Sequence, residues 1–359
     1  MTKENVLVAM SGGVDSSAAA ALLLERGYGV MGVTMRLWDA PADAERQSCC
    51  SLDDVNDARR VADQLGIPHY TLNMKEEFKK NVVDYFVDEY VSGRTPNPCI
   101  ACNRVLKFGL LLKKAHQLGC AKLATGHYAR LVEIDGRKRL ARGRDPEKDQ
   151  SYFLFDVPPE ILEHVLFPVG ELTKDETRAV AARHKLKTAQ KPDSQEICFV
   201  PDDDYQKFIA SLELNIPPGD FVDKAGKRLG AHKGIPFYTV GQRRGLGVAA
   251  EGRLYVTNLN AEKNAITLGP EDELLAGSME IKNLTLHEEL RDGPVAVQLR
   301  HRRAPVKGMI HFTPEGVAEV RFDKPERAVA PGQAAVFYRD NIVTGGGWIE
   351  RFSMADNGA

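Results

Sequence analysis

Six residues, Ser11-Gly12-Gly13-Val14-Asp15-Ser16, lie between an apolar stretch, Val6 to Met10, and a helix-forming stretch, Ser16 to Arg26, that Gly27 closes. The pattern is strand, tight turn and helix. The first turn of such a helix points unpaired backbone N–H groups at the turn, and two bare glycines let an anion approach them closely. Ser11, Ser16 and Ser17 add hydroxyl donors, and Asp15 can help hold Mg²⁺. Nothing in the turn matches the lysine of G-x-x-x-x-G-K-[ST], which reaches the terminal phosphates for γ-phosphoryl transfer. The turn therefore suits a different cleavage of ATP, in which it grips a pyrophosphate leaving group while the α-phosphorus is attacked. That reaction is an adenylation.

Sulfur is the second chemistry. Cys102 lies in TPNPCIACNR, read as a proline-interrupted loop ending at a helix whose N-terminal field favours thiolate, and Cys198 lies in the equally irregular DSQEICFV. Two such cysteines suit persulfide handling, one carrying the sulfur and the other resolving it by thiol–disulfide exchange. Cys120, between a helix stop and a strand, reads as a buried structural residue.

These groups need a frame, and the chain up to about Arg130 supplies one by alternating β and α patterns. VMGVTMRLW, HYTLNM and KLATGHYA read as strands; DDVNDARRVADQLG, KEEFKKNVVDYFVDEYVSG and FGLLLKKAHQLG read as helices. Repeated units of this length imply an α/β fold with a doubly wound parallel sheet, whose ligands bind beyond the carboxyl ends of the strands. The Gly-rich turn, the Cys49 to Ser51 segment, the Pro96 to Asn103 loop and Gly126 to Tyr128 are thus expected at one crevice. Thr173 and Glu176 spell the capping box of a short helix running to His184. Beyond Pro217 short strands parted by glycine and Asn/Asp turns take over, which divides the chain into 1–216, 217–277 and 278–359, the last two β-rich.

With 359 residues, 43% of them hydrophobic, the chain can bury cores for several domains. It shows neither a signal peptide nor an apolar run of about 18 residues, so the expected location is cytoplasmic with no membrane partner. The net charge of −2 hides three basic clusters, Arg137 to Arg144, Arg243 with Arg244, and Arg300 to Arg303, which together favour a polyanionic partner.

SGGVDSS, TPNPCIACNRVLKF, TGHYAR, KDQSYFL, KPDSQEICF and YTVGQRRGLG occur in this order from residue 11 to about 247, and PGQAAVFY follows at Pro331 to Tyr338. In this ordered set the chain resembles the tRNA-specific 2-thiouridylases, PP-loop ATPases that thiolate the wobble uridine of tRNA. The resemblance implies a PP-loop domain followed by two small β-rich domains, the last a β-barrel. It implies ATP and Mg²⁺ as cofactors, the tRNA anticodon arm as substrate, and a persulfide donor such as a cysteine desulfurase or sulfur-relay protein. Carried onto this sequence, Ala9, Met10, Ser11, Gly12, Gly13, Val14, Asp15 and Ser16 would line the ATP site, with Met35 and Gly126 at the adenine side. Cys102 would be the nucleophile and Cys198 the persulfide carrier, the two ending the cycle as a disulfide. Asn97, Pro98 and Cys99 would meet the target base; His127, Lys148, Asp149, Gln150, Arg300, His301 and Gln333 would touch tRNA.

One departure stands out. Cys99 occupies a position where the family pattern has an aspartate proposed as acid/base group, and it creates Cys99-x-x-Cys102. No resident metal is assigned. Zinc on Cys49, Cys50, Cys99 and Cys102, or an iron–sulfur cluster on Cys99, Cys102 and Cys198, stays open beside a purely thiol mechanism, as does another PP-loop adenylating enzyme. An RNA-binding protein keeping the loop as a relic is opposed by the intact Ser11, Asp15, Cys102 and Cys198.

Overall fold

The computed structural model describes residues 3–38, 52–192, 197–200, 204–250 and 252–355. The chain divides into two compact units, one made of Met1–Val83, Pro98–Asp204 and Asp340–Val343, the other of Asp84–Asn97, Tyr205–Arg339 and Thr344–Ala359.

The first unit is built on strands β1 (Asn5–Ala9), β2 (Gly29–Arg36), β3 (His69–Asn73), β4 (Lys122–Ala124), the hairpin β5 (Ala129–Ile134) and β6 (Arg137–Arg142), and β7 (Val165–Leu166). Five of them form one sheet in the order β3-β2-β1-β4-β7, and every neighbouring pair is parallel. Val6, Leu7 and Val8 are fully buried, as expected for a central strand covered on both faces. Helix α1 (Val14–Glu25) follows β1 at once and α2 (Leu52–Leu65) follows β2. The alanine-rich middle of α1 is buried all round: Ala20 and Leu23 join the core containing Val6 and Val8, while Ala18, Ala19 and Ala21 pack with Tyr128, Val169 and Val180. Small side chains let this helix sit close to its neighbours on every side. The β5–β6 turn places Asp135 (φ 51°) and Gly136 (φ 71°) in the left-handed region, the conformation that an Asp-Gly hairpin turn demands.

The second unit contains two sheets. Strands β8 (Gly219–Val222), β9 (Arg228–His232), β10 (Tyr255–Asn260) and β11 (Ala265–Gly269) are ordered β10-β11-β8-β9 around Phe221, Val256 and Ile266. Strands β12 (Leu275–Leu286), β13 (Gly293–Gln298), β14 (Val306–Phe312), β15 (Ala318–Arg327), β16 (Ala334–Arg339) and β17 (Ile342–Met354) run β12-β15-β14-β13-β16-β17. Antiparallel pairing of β12 with β17 closes them into a six-stranded barrel filled by Ile281, Val297, Val320, Phe337 and Ile349. Closure leaves no free sheet edge. Among the described residues no helix is long and apolar enough to cross a membrane.

Candidate active site

The Gly-rich turn connects the carboxyl end of β1 to α1, and its own hydroxyls shape it. The Ser11 amide donates to Ser16 Oγ at 3.1 Å, and Ser16 Oγ donates to the Gly13 carbonyl at 3.2 Å. Ser17 Oγ also donates to that carbonyl at 2.8 Å and is fully buried, so it braces the helix rather than facing a ligand. α1 begins at Val14 with Gly13 as its cap and no side-chain capping bond, two residues earlier than the pattern predicts. Its first-turn N–H groups are thereby left for another acceptor. Gly12 is left-handed (φ 72°), and a Cβ there would stand 2.4 Å from the Asp54 carbonyl. Gly126, in the turn after β4, is just as constrained: a Cβ would fall 2.6 Å from the Ser16 amide nitrogen. Gly13 is different. A Cβ there would meet only Ser11 Oγ, at 3.5 Å, so a side chain would fill space that an approaching phosphate needs.

Asp15 projects from the first turn of α1 and is gripped by residues far away in sequence. Lys174 Nζ donates to both carboxylate oxygens, at 2.7 and 2.9 Å, and Tyr128 Oη donates at 2.8 Å. The Lys174 side chain is only 12% exposed. It is the first residue of the helix Lys174–Arg183, whose Thr173/Glu176 capping box forms as the sequence predicts. The turn, which has no lysine of its own, thus has one from another helix beside it, bound to Asp15. The sequence held one clue: a cation at a helix N-terminus opposes the helix dipole and calls for an acidic partner.

Around Gly126, Thr125 Oγ1 lies 2.6 Å from His127 Nδ1, and Lys107 Nζ lies 3.4 Å from His127 Nε2. An ammonium can only donate, so Nε2 accepts and Nδ1 carries the proton. Burial, and next the Lys107 charge, hold the His127 pKa well below the ordinary histidine value. The ring is neutral, with both nitrogens engaged inside the protein.

The cysteine segment corrects the sequence reading. Regular structure starts at Pro98, not beyond the prolines: Pro98–Ala101 is helical, widens to i→i+5 turns over Cys102–Leu111, and continues as Leu112–Gln117. Proline fits the first helical position because its fixed φ is helical and its missing N–H would be unpaired there anyway. Cys99 is exposed and Cys102 buried within this helix. Asn103 Nδ2 donates to the Phe153 carbonyl at 2.9 Å, and Arg104 pairs with Asp156 at 3.0 Å, tying the helix to the KDQSYFLFD stretch. From this widened stretch Lys107 reaches His127.

Cys198 is half-buried in a short turn closed by Val200 N–H to the Ile197 carbonyl. Its neighbour Phe199 is the anchor, packing edge-on against Phe78 (ring centroids 5.5 Å apart) and near Trp38 (6.5 Å). Trp38 follows the carboxyl end of β2, so Phe199, and with it the turn that carries Cys198, packs near that end of the strand. Cys120 is buried, and burial raises its pKa. Among the described residues no three His, Cys, Asp or Glu side chains come together as a metal set; Cys49 and Cys50 lie outside the described residues.

Several residues pointed at tRNA have internal bonds. Asp149 is buried and accepts from Arg142 Nη1 (2.7 Å), the Gly143 amide (3.0 Å) and Ser151 Oγ (3.0 Å). Gln150 Oε1 accepts from the Tyr128 amide at 3.0 Å, so KDQ braces the TGHY turn. Lys148 is half-buried beside them. In the second unit Arg300 donates to the Ala328 carbonyl at 2.7 Å and, with His301, occupies a turn after β13. Gln333 Nε2 donates to the Thr95 carbonyl at 3.0 Å. The segment Arg94–Asn97 belongs to this unit, and the Pro98 helix to the first.

Three domain families match the chain: a tRNA methyl transferase HUP domain at residues 4–202, a tRNA methyl transferase PRC-barrel domain at 206–270 and an aminomethyltransferase beta-barrel domain at 277–349. The chain is 48% identical over 356 residues to the tRNA-specific 2-thiouridylase MnmA of Clostridium perfringens, covering 98% of this chain and 99% of the relative. It is 50% identical over 357 residues to the enzyme of the same name from Geobacter metallireducens, covering 97% of each.

Proposed function

The chain belongs to the tRNA-specific 2-thiouridylase family, and on that premise we propose which of its residues carry each part of the reaction. The enzyme is a sulfurtransferase that uses ATP and Mg²⁺ to place sulfur on C2 of the wobble uridine of tRNA, with the sulfur brought by a persulfide donor such as a cysteine desulfurase or relay protein. One observation carries the assignment of parts: a glycine turn at a helix N-terminus, a lysine–aspartate pair beside it, and the turn that carries Cys198 packed through Phe199 near the carboxyl end of β2 in the same parallel sheet.

The residues present fit MgATP. Gly12 and Gly13 leave the α1 N-terminus open to phosphate, Met35 and Gly126 would flank the adenine, Asp15 would be the carboxylate for Mg²⁺, and Lys174, paired with Asp15, would add a positive charge beside the phosphates. Bound Mg²⁺ supplies charge neutralisation on the phosphate oxygens. The chain's own donors at α1 then stabilise pyrophosphate as it leaves, while uracil O2 bonds to the α-phosphorus. Adenylation makes that oxygen a good leaving group at a carbon otherwise resistant to attack.

Asn97, Pro98 and Cys99 hold the base, extruded from its stack. The terminal sulfur of a Cys198 persulfide bonds to C2 and AMP departs with the oxygen. Cys102 thiolate attacks Cys198 Sγ, the S–S bond to the transferred sulfur breaks, and its electron pair passes to that sulfur. A Cys102–Cys198 disulfide remains for an external thiol to reduce. Neutral His127 accepts from Lys107 and orients it. Arg300 and His301 take tRNA phosphates. The reaction takes place in the cytoplasm, and 1–216, 217–277 and 278–359 are its nucleotide, central and barrel domains. Incubation with ATP, a persulfide source and unmodified tRNA tests the assignment: 2-thiouridine forms together with AMP and pyrophosphate, whereas ADP and phosphate as the tRNA-dependent products would contradict it.

A further inference from the structure

The carboxyl end of β1 is joined to β2 and β3 by a chain of side-chain hydrogen bonds that the reaction above does not use. Thr34 on β2 is buried, and its Oγ1 donates to the Met10 carbonyl at 2.8 Å. His69 Nε2, at the start of β3, lies 2.9 Å from the same Oγ1. A hydroxyl has one proton and the Met10 carbonyl takes it, so Nε2 carries a proton and donates to Thr34. The other ring nitrogen, Nδ1, is buried and has no hydrogen-bond partner among the described residues. Burial, and next the charge of Arg59, lowers the His69 pKa, so the ring is neutral with its one proton committed to Thr34. Gly32 makes room for this arrangement: a Cβ there would stand 2.6 Å from Met10 Sδ and 3.1 Å from His69 Cδ2. Gly32 pairs with His69 in the parallel register, and the Met10 amide donates to the Val33 carbonyl at 2.7 Å. All of these residues lie in the first unit.

We propose that His69 is a positioning residue for the adenine end of the nucleotide site, acting through Thr34 on the Met10 carbonyl. Met10 is the last residue before the Ser11–Gly13 turn, and Thr34 is the residue before Met35. One hydroxyl therefore fixes both the end of β1 that leads into the turn and the stretch of β2 that presents Met35. With each proton committed, the chain from His69 to Met10 has a single direction. The turn itself keeps its shape through Ser16 and Ser17, so breaking the chain loosens the hold on the base and spares the hold on the phosphates. The proposal rests on the assignment of Met35 to the adenine and of the turn to the phosphates.

The test compares Thr34→Val, which keeps the shape of the side chain but removes both bonds, His69→Phe, which keeps a ring but removes the donor, and His69→Gln, whose amide can still donate to Thr34. The full-length enzyme is titrated calorimetrically with MgATP, AMP and inorganic pyrophosphate, and the urea midpoint is read beside the three Kd values. The chain predicts ATP and AMP affinities lowered about three- to tenfold in Thr34→Val and His69→Phe, the scale of one neutral hydrogen bond. Pyrophosphate affinity should stay within about twofold of wild type, and His69→Gln should recover part of the loss. Unchanged ATP and AMP affinities in Thr34→Val and His69→Phe, whatever the urea midpoint, would overturn the proposal and leave the chain as a brace for the sheet. An equal loss of pyrophosphate affinity would also overturn it, by placing the effect at the turn. Should wild type bind neither ATP nor AMP, the nucleotide reading falls and the proposal with it; a wild type that binds both confines any failure to the role of His69.

Discussion

The Ser11–Gly13 turn and the Arg94–Pro96 segment are both short and irregular and each leads into a helix, but they are held in opposite ways. The turn is fixed by hydroxyls within five residues of it. The segment is fixed by Gln333 and Glu350, 238 and 256 residues away in sequence. A locally fixed anion site can form as soon as its strand and helix do. The Arg94–Pro96 segment, held from Gln333 and Glu350, takes its shape only when the strands that carry those residues are in place. Substitutions should therefore separate into those that strike nucleotide and those that strike sulfur transfer.

The largest effect is expected on the sulfur side. Cys198→Ser and Cys102→Ser should each abolish 2-thiouridine formation, a loss of at least about a thousandfold, while ATP and tRNA affinities stay within about twofold. Cys102→Ser should still accept a persulfide at Cys198, detected by alkylation and mass spectrometry. Loss of ATP binding in either variant would break the separation.

On the nucleotide side, Gly126→Ala forces a Cβ to within 2.6 Å of the Ser16 amide nitrogen and 2.7 Å of the Asp15 carbonyl carbon. Overpacking of this kind costs about 1–3 kcal/mol, and because the strain lands on the α1 N-terminus, ATP affinity should fall by at least about tenfold. Calorimetric titration with ATP measures it; unchanged affinity would remove Gly126 from the site.

Lys174→Met should weaken ATP binding about tenfold, the scale of one charged hydrogen bond, and leave tRNA affinity unchanged. Arginine at this position should restore part of the loss. Equal ATP affinity in wild type and Lys174→Met would reduce the Lys174–Asp15 pair to a brace for its helix.

The smallest effect is a pH dependence. Burial lowers the pKa of His69, His127 and His232, so each is neutral in the fold and gains a proton on unfolding below the ordinary value of about 6.5. The unfolded state then binds more protons, so the stability they allow is complete above about pH 6.5 and falls as pH drops, by up to about 1.4 kcal/mol per unit for each ring until its folded pKa is reached. Urea midpoints across this range should show the fall, and His127→Gln should flatten it. A steeper fall in the variant would contradict the neutral ring.

The same contrast explains what could be read in advance. The alternation of strands and helices, the Gly-rich turn and the Thr173 capping box are written in periodicity and in contacts between near neighbours, which sequence pattern reports well. The helix starts at Pro98, inside the expected loop, because proline is favoured at the first helical position although it interrupts a helix elsewhere. The widened turns after Cys102 have no composition signature. Sequence pattern carries no signal for Lys107 and Arg94, and for Lys174 only its place at a helix N-terminus, since their partners His127, Glu350 and Asp15 are brought to them only by the tertiary fold.

The central claim, that adenylation and persulfide transfer are carried by separately held parts of one enzyme, is tested most directly by a single turnover. Enzyme carrying a labelled persulfide on Cys198 is mixed with ATP and unmodified tRNA, and AMP, pyrophosphate and labelled 2-thiouridine are counted together. The account predicts one AMP and one pyrophosphate for each labelled thiouridine in wild type, and no labelled thiouridine from Cys198→Ser treated in the same way. Labelled product from Cys198→Ser at the wild-type rate, or product formed with ADP in place of AMP, would contradict it.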